Sequence, residues 1–244
     1  MLGIISGTIL LQEIVQFKSM ESILKKNEFG QALVLLADNV AFIPRHGNDP
    51  QHHILPHLIN HQANMKALSD IGVDEVIAIN STGSMKKSLK PGSIVIPDDF
   101  ITFVPSPSIY RDKPFHVVPC LNMTVRRHCL EAADACNIKV IDGGTYWQST
   151  GPRLETKAEI KMMSSFAELV GMTMASETTI AAELGVPYAS ICSVDNYANG
   201  IGKQELTLEE IHQQAHCNRK TILRIISNYI PNISHRAPEG VQVG

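Results

Sequence analysis

Two polar residues far apart in the sequence, Glu155 and Asn196, have side chains suited to holding the edge of a heterocyclic base. A carboxylate accepts a hydrogen bond from a ring N–H, and a carboxamide both donates and accepts. Together they match the edge of a 6-oxopurine, with Leu154 placed to pack on the ring face. Asn196 would also donate to the negative charge that builds on a departing purine. The alternative for Glu155 is a carboxylate at a helix N-terminus, where the helix dipole stabilises it.

A second group of residues has the chemistry of an oxyanion site. Thr8 follows a Ser-Gly pair at a strand-to-loop turn, where a hydroxyl and backbone N–H groups can hold an anion. Arg45 and His46 come directly after another predicted strand, and the Arg fork matches phosphate geometry. An ordinary turn at Thr8 and a surface salt bridge at Arg45 remain open alternatives. We expect no metal at the nearby His52 and His53, because they lack the spacing of a helical metal site and an obvious acidic partner.

The elements that must position these residues alternate between strand and helix. Apolar runs predict strands at residues 2–5, 32–37, 40–44, 76–80, 93–96, 169–173 and 188–193. Helical spacing predicts helices at residues 60–71, 124–135, 156–165, 177–184 and 208–226. This order indicates an α/β fold with a central, mainly parallel twisted sheet flanked by helices. Ligands collect beyond the carboxyl ends of such strands, which brings together the residues that follow them: Thr8, Arg45, Ser81, Thr173 and Asn196.

Composition limits the classes of partner. The chain has 244 residues, of which 44% are hydrophobic, and no linker-like segment divides it, so we expect one domain over residues 1–244 with a disordered tail from about 235. A net charge of −3 with scattered basic residues argues against nucleic acid. No apolar run reaches membrane-spanning length. Five cysteines without a C-x-x-C pair indicate free thiols in a reducing compartment, so we expect a cytoplasmic protein.

Several segments, taken jointly, resemble the trimeric purine nucleoside phosphorylase and methylthioadenosine phosphorylase family. They are IISGT, PRHGN, HHILPHLINHQANMKAL, INSTGSM, LKPGSIVIPDDFI, GPRLETKAEIKMM, GMTMASE and SVDNYANG. The similarity runs from Ile4 to about Ile226. It implies a nucleoside phosphorylase-like fold, a homotrimer, a nucleoside and inorganic phosphate as substrates, and no other cofactor.

Carried over by position, the resemblance assigns roles to individual residues. It puts phosphate at Thr8, Arg45, His46, His52, Ser81 and Thr173. Met172 should lie under the sugar, and Leu154, Glu155 and Asn196 should face the base, as in the branch that acts on 6-oxopurines. The methylthioadenosine enzymes carry Ser and Asp where this chain has Glu155 and Asn196. Leu208 and Ile211 stand where a His would bond a 5′-hydroxyl, and His116 enters from a neighbouring subunit.

The combination of a 6-oxopurine site and an apolar 5′ pocket resembles methylthioinosine phosphorylases. The expected reaction is S-methyl-5′-thioinosine plus phosphate to hypoxanthine plus 5-methylthioribose 1-phosphate. The alternatives are a phosphorylase of inosine and guanosine, a methylthioadenosine phosphorylase, and an inactive nucleoside-binding protein. The chain departs from the family pattern at Ile9, in a longer loop at 48–51, and at Ala175-Ser176, where Val-Pro is usual.

Overall fold

The computed structural model describes residues 1–7, 20–37, 39–49, 51–202 and 207–233. Their strands are β1 (Leu2–Ser6), β2 (Glu21–Asn27), β3 (Gly30–Ala37), β4 (Val40–Pro44), β5 (Glu75–Ser84), β6 (Ile94–Ile96), β7 (Asp99–Thr102), β8 (Ile141–Asp142), β9 (Thr145–Gln148), β10 (Leu169–Gly171) and β11 (Tyr188–Tyr197). The helices are α1 (His61–Ile71), α2 (Met123–Ala135), α3 (Lys157–Met163), α4 (Met174–Leu184) and α5 (Leu208–Ile233). Thr8 and the tail from 235 lie outside the described residues.

All the described strands belong to one mixed sheet, ordered β2-β3-β4-β1-β5-β10-β9-β7, with β11 pairing β5 and β6, and β8 pairing β6. The pairings around the centre, β4 with β1, β1 with β5 and β5 with β11, are parallel. The β2–β3–β4 meander and the β5–β10 and β6–β11 pairs are antiparallel. The predicted α/β fold with a mainly parallel sheet is therefore confirmed, with antiparallel additions.

Buried apolar residues form a core on each face of this sheet. One cluster packs beneath α1 and α4 and includes Met65, Leu68 and Ile180. The other packs beneath α2 and α5 and includes Val125 and Ile225. Helix α1 begins and ends where the sequence signals it: Asn60 caps it, and Gly72, with φ 84°, ends it in the left-handed conformation that glycine tolerates. Two helices are longer than predicted, since α4 begins at Met174 and not at 177, and α5 continues to Ile233 and not to 226. No helix within the described ranges is both long and apolar enough to span a bilayer.

Two predicted strand ends were wrong. The strand at 76–80 was expected to stop at Ser81, but β5 continues to Ser84 because β11 pairs with it as far as Tyr197 and β10 pairs with Gly83 and Ser84. In the same way β11 passes through Asn196 after a register shift between Val194 and Asn196. Ser81 and Asn196 thus lie on adjacent strands and not in loops. The hairpin strand β2 was missed, because its charged residues hide any apolar alternation.

Candidate active site

The carboxyl ends of the central strands meet, as the sequence predicts. Arg45 follows β4, and its backbone N–H donates to the Ser6 carbonyl at the end of β1 over 2.8 Å. The Arg45 Nη1 group donates to the carbonyl of Ile79 in β5, 3.0 Å away. Through Asn80, β5 also contacts Thr173 after β10. One edge of the sheet therefore collects Arg45, Thr173 and Ser81, with Asn196 further along β11.

Arg45 is buried, with only 3% of its surface exposed, and its partner is Glu177 of α4. The Nε and Nη2 groups of Arg45 donate to the two carboxylate oxygens over 2.5 and 2.9 Å. Burial alone would raise the pKa of Glu177, but the Arg45 and His61 side chains outweigh it and lower that pKa to about 2. The pair is therefore ionised at neutral pH. The salt bridge that the sequence left open exists, but inside the protein, and it leaves Arg45 with N–H groups that have no partner in the described part of the chain.

Thr173 is the N-cap residue of α4, yet its side chain makes no capping hydrogen bond. Its hydroxyl oxygen accepts from the Asn80 Nδ2 group over 2.7 Å, and the Ser190 hydroxyl donates to the Asn80 Oδ1 atom, also over 2.7 Å. These two bonds fix the Asn80 amide with its nitrogen towards Thr173. The Thr173 hydroxyl proton therefore remains available to a bound acceptor.

The departure at Ala175-Ser176 has a local explanation. The Ser176 backbone N–H donates to the Gln148 Oε1 atom over 3.1 Å, and the Gln148 Nε2 group donates to the Ser176 hydroxyl over 2.6 Å. A proline at 176 has no N–H and could not make the first bond. This pair ties the first turn of α4 to β9, so the departure leaves Thr173 in position.

The two loop histidines lie in different environments. The His46 Nδ1 group donates to the Ile54 carbonyl over 2.7 Å, and its ring stacks on His53 with centroids 4.4 Å apart. Burial, helped by the nearby Arg45 charge, lowers the pKa of His46 to about 4, so the ring is neutral at pH 7. His52 instead contacts Asp49 over 2.5 Å in an exposed part of the loop, and the structure does not bring it to Arg45.

Glu155 lies just before α3 and is 8% exposed. The Ser149 hydroxyl donates to its carboxylate. The helix-capping role suggested as an alternative belongs to Glu159, which forms a capping box with Thr156. Glu155 lines an open cleft of about 250 Å³ between β9 and α3, together with Phe103, Trp147, Gln148, Ser149 and Met163.

Asn196 lies against Gly83 of the neighbouring strand. Its Nδ2 group donates to the Tyr197 carbonyl over 2.9 Å, and a Cβ atom placed on Gly83 would come within 3.1 Å of that nitrogen. Three residues further on, the Asn199 side chain donates to the Glu155 carbonyl over 3.2 Å. This bond joins the chain that follows β11 to the segment carrying Glu155.

The remaining predicted residues occupy more open positions. Leu154 is 38% exposed beside Glu155. The Met172 sulfur lies against Gly151, where an added Cβ would come within 2.5 Å of it. His116 is exposed, and Ile211 is half-buried near the start of α5. The side chain of Leu208 lies outside the described residues. Among the described residues no cluster of His, Cys, Asp or Glu has the arrangement of a metal site.

With this geometry in place, comparison with known proteins defines the class. A family model described as "Phosphorylase superfamily" matches residues 3–231, so the chain belongs to the phosphorylase superfamily. It is 41% identical over 238 residues to a probable 6-oxopurine nucleoside phosphorylase of Archaeoglobus fulgidus, covering 96% of this chain and 97% of the relative. It is 36% identical over 240 residues to a probable S-methyl-5′-thioinosine phosphorylase of Methanocaldococcus jannaschii, with coverages of 94% and 92%.

The fold is also that of a solved structure. Methylthioadenosine phosphorylase from Schistosoma mansoni, in complex with adenine, superposes with a TM-score of 0.85 at 22% identity, covering 97% of this chain and 92% of that one. At 22% identity this similarity is evidence for the fold alone, and it confirms the expected nucleoside phosphorylase-like architecture.

Sequence reasoning missed the residues that hold the candidate site together. Glu177, Asn80 and Gln148 are buried polar residues, and each is bonded to a residue far away in the chain. The only signal for Glu177 was a charged residue inside an otherwise apolar and small-residue helix. Nothing in the sequence indicates that Asn80 contacts Thr173, because that contact depends on how the strands are ordered.

Proposed function

We propose that this protein catalyses phosphorolysis of 6-oxopurine nucleosides, with S-methyl-5′-thioinosine as the preferred substrate. The products are hypoxanthine and 5-methylthioribose 1-phosphate. One arrangement carries the proposal. Arg45 and Thr173 keep hydrogen-bond donors that have no partner among the described residues, and both follow strands of the sheet that contains Asn196. The Asn199 side chain joins the chain after Asn196 to the segment that carries Glu155. The names of the Archaeoglobus and Methanocaldococcus relatives support the same reaction class.

The phosphate half of the site is assigned to Arg45, Thr173, Ser81 and His46, with Thr8 completing it. His52 stays a prediction, because it contacts Asp49 and not Arg45. The unused Arg45 N–H groups, the Thr173 hydroxyl and the first turn of α4 provide donors and positive potential for an anion. His46 plays a different part. Since its Nδ1 group donates to Ile54, its Nε2 atom is an acceptor, suited to the P–OH group of hydrogen phosphate.

The base half is assigned to Glu155, Asn196 and Leu154. The Glu155 carboxylate accepts N1–H, and the Asn196 amide donates to the O6 and N7 region. The Ser149 hydroxyl holds the carboxylate in place from one side. As the glycosidic bond breaks, electrons move onto the purine, and the amide stabilises that charge where it develops.

Phosphate attacks the anomeric carbon while the purine leaves, so positive charge passes through the ribosyl group between the two halves. The bound phosphate stabilises that cation, with Met172 packed beneath the sugar. Positioning and electrostatics supply the catalysis, and the protein forms no covalent intermediate. The only co-substrate that the mechanism requires is inorganic phosphate.

The preference at the 5′ position rests on Ile211 and Leu208, which offer an apolar surface to a methylthio group. We further propose a homotrimer in which His116 of a neighbouring subunit reaches the 5′ end. Exposed apolar residues that line the cleft support a contact between subunits, since Phe103 is 82% and Met162 is 53% exposed. The five cysteines are free thiols, which fits a cytoplasmic enzyme.

Inosine and guanosine are the second candidate substrates, because the Archaeoglobus relative is named for 6-oxopurine nucleosides in general. The test measures purine release from methylthioinosine, inosine and methylthioadenosine, each with and without phosphate. We expect phosphate-dependent release, fastest from methylthioinosine and slowest from methylthioadenosine. Faster release from inosine than from methylthioinosine would contradict the assignment of Ile211 and Leu208 to an apolar 5′ pocket. Phosphate binding without any release would indicate an inactive nucleoside-binding protein.

A further inference from the structure

A buried carboxylate beside the proposed base site has no part in the mechanism above. Asp195 is 2% exposed and occupies the register shift in β11, directly before Asn196. Its Oδ1 atom accepts from the Asn218 Nδ2 group of α5 over 2.7 Å, and its Oδ2 atom accepts from the Ser193 hydroxyl over 3.0 Å. The Ser81 hydroxyl of β5 also lies near this carboxylate, where it acts as a donor that lowers the pKa of Asp195, and Ser81 is the register partner of Ser193.

These contacts with Asp195 come from neutral groups, and none of the ion pairs found between described residues includes Asp195. Burial raises the pKa of this carboxyl, although the hydrogen bonds from Ser81, Asn218 and Ser193 oppose the rise. A buried acid without a cation is costly to a fold. An asparagine could anchor Asn218 at lower cost, so packing alone does not account for the acid.

The position of Ser81 indicates what the carboxylate does. Ser81 is exposed, although its neighbours on both sides in β5 are buried. Its register partner is Ser193, so Ser81, Ser193 and Asp195 lie close together on adjacent strands. On one side of Ser81, Asn80 contacts Thr173 of the anion site. On the other side, Gly83 lies against Asn196. Along β5, Ser81 therefore lies between the residue that contacts Thr173 and the residue that lies against Asn196, which is the place that the proposed function gives to the sugar.

A carboxylate can only accept a hydrogen bond, so the single proton of the Ser81 hydroxyl is directed to Asp195. The exposed side of that oxygen then presents lone pairs, which suit a donor better than a phosphate oxygen. We propose that Asp195 is a positioning residue that makes Ser81 a hydrogen-bond acceptor for a ribose hydroxyl, and so favours ribonucleosides over deoxyribonucleosides. This inference rests on the proposed function and moves the Ser81 side chain from phosphate to sugar.

The test compares kcat/KM for inosine with kcat/KM for 2′-deoxyinosine and 3′-deoxyinosine in matched variants. Asp195→Asn removes the charge, and Ser81→Ala removes the acceptor. Ser193→Ala is the control, because it removes a different donor to Asp195. For each variant, the ratio of kcat/KM for inosine to kcat/KM for a deoxy analogue is divided by the same ratio in the wild-type protein. This division removes the effect of the different intrinsic stabilities of the glycosidic bonds. The deoxy analogue that responds identifies which hydroxyl Ser81 holds.

We expect Asp195→Asn and Ser81→Ala each to reduce the preference for ribose about tenfold, as loss of one hydrogen bond predicts. Ser193→Ala should leave the preference unchanged. Equal losses on all three nucleosides in both variants would show a purely structural role and overturn the inference. If Asp195→Asn does not fold, Ser81→Ala, at an exposed position, decides alone.

The proposed function can fail separately. If wild-type protein cleaves the nucleosides in a phosphate-dependent manner and only the ratios fail to move, the inference falls and the function stands. If wild-type protein cleaves neither S-methyl-5′-thioinosine nor inosine and binds neither by calorimetry, both fall.

Discussion

At the Arg45 end of the proposed site the polar side chains are buried and bonded to one another, whereas at the Glu155 end they line an open cleft among exposed apolar residues. Arg45 bonds Glu177 and Asn80 bonds Thr173, and the Glu177 backbone N–H joins the two pairs by donating to the Thr173 carbonyl over 3.3 Å. Around Glu155, by contrast, Phe103 and Leu154 remain accessible. In our proposal, this difference means that the phosphate half of the site is preformed within one chain, while the base and sugar half is completed by the ligand and by a second subunit.

The largest effect should come from breaking the buried ion pair. Glu177→Ala leaves the Arg45 charge buried without a partner, so we expect a loss of about 3–5 kcal/mol in the free energy of unfolding. Urea denaturation measures it. The control is Glu131→Ala, which removes the partner of Arg127 from a pair that is 3.7 Å long and exposed on both sides, and should cost under about 1 kcal/mol. Similar losses in the two variants would contradict a preformed anion site.

Removing the Thr173 hydroxyl should affect phosphate more than nucleoside. Thr173→Val keeps the shape of the side chain but deletes the proposed donor, and we expect kcat/KM for phosphate to fall about 100-fold. Thr179→Val on the same helix is the control, since that hydroxyl donates only to the Ala175 carbonyl over 2.8 Å. A loss at Thr173 that appears equally in the KM of both substrates would speak against a phosphate contact.

Lowering the pH should reduce the stability of the protein, because His46 in the phosphate half of the site must then take up a proton. Its pKa is about 4 in the folded protein and ordinarily 6.5, so the unfolded chain binds the proton more readily. Stability is therefore full above about pH 6.5 and declines as the pH falls towards 4, by about 1–2 kcal/mol after allowance for partial exposure. Glu177 adds a loss only at lower pH, between its ordinary value of 4.5 and about 2. Urea denaturation at pH 6.5 and at pH 4.5 measures this loss of free energy of unfolding, which should be smaller in His46→Asn than in the wild-type protein. The same loss in both proteins would show that His46 does not cause it.

At the open end, Asn196→Asp tests base recognition. A carboxylate suits a 6-amino group better than a 6-oxo group, so the preference for methylthioinosine over methylthioadenosine should fall at least about tenfold. The ratio of kcat/KM values for the two nucleosides gives the answer. Unfolding by urea should change little, because the Asn196 side chain bonds only its neighbour's carbonyl among the described contacts. An unmoved ratio would remove Asn196 from the base site.

The smallest effect concerns the 5′ end. Ile211→Ser should reduce kcat/KM for methylthioinosine by about threefold to tenfold, as loss of an apolar contact predicts, and leave inosine nearly unchanged. Leu223→Ser on the far part of α5 is the control for general damage to the helix. If both nucleosides lose activity equally in Ile211→Ser, the apolar 5′ pocket lies elsewhere.

The positions of most strands and helices could be predicted from the sequence, but the contacts between residues of different strands could not. Most of the strand and helix order followed from apolar periodicity, although β2, β7 and β9 were missed. The placing of Arg45 and Thr173 directly after strands of one sheet followed from the rule that strand ends share an edge. The bonds from Arg45 to Glu177 and from Asn80 to Thr173 could not be predicted, because each depends on which strands become neighbours. Turn-forming residues at 81–84 were misread as the end of a strand, since pairing with β10 and β11 keeps them extended.

The central claim is that one site on this chain binds inorganic phosphate and a 6-oxopurine nucleoside together. The most direct measurement is the initial rate of hypoxanthine release from S-methyl-5′-thioinosine as phosphate is titrated from zero. We predict no release without phosphate, saturation as phosphate rises, and one 5-methylthioribose 1-phosphate for each hypoxanthine. Release at a rate independent of phosphate, or free 5-methylthioribose as the product, would contradict the account.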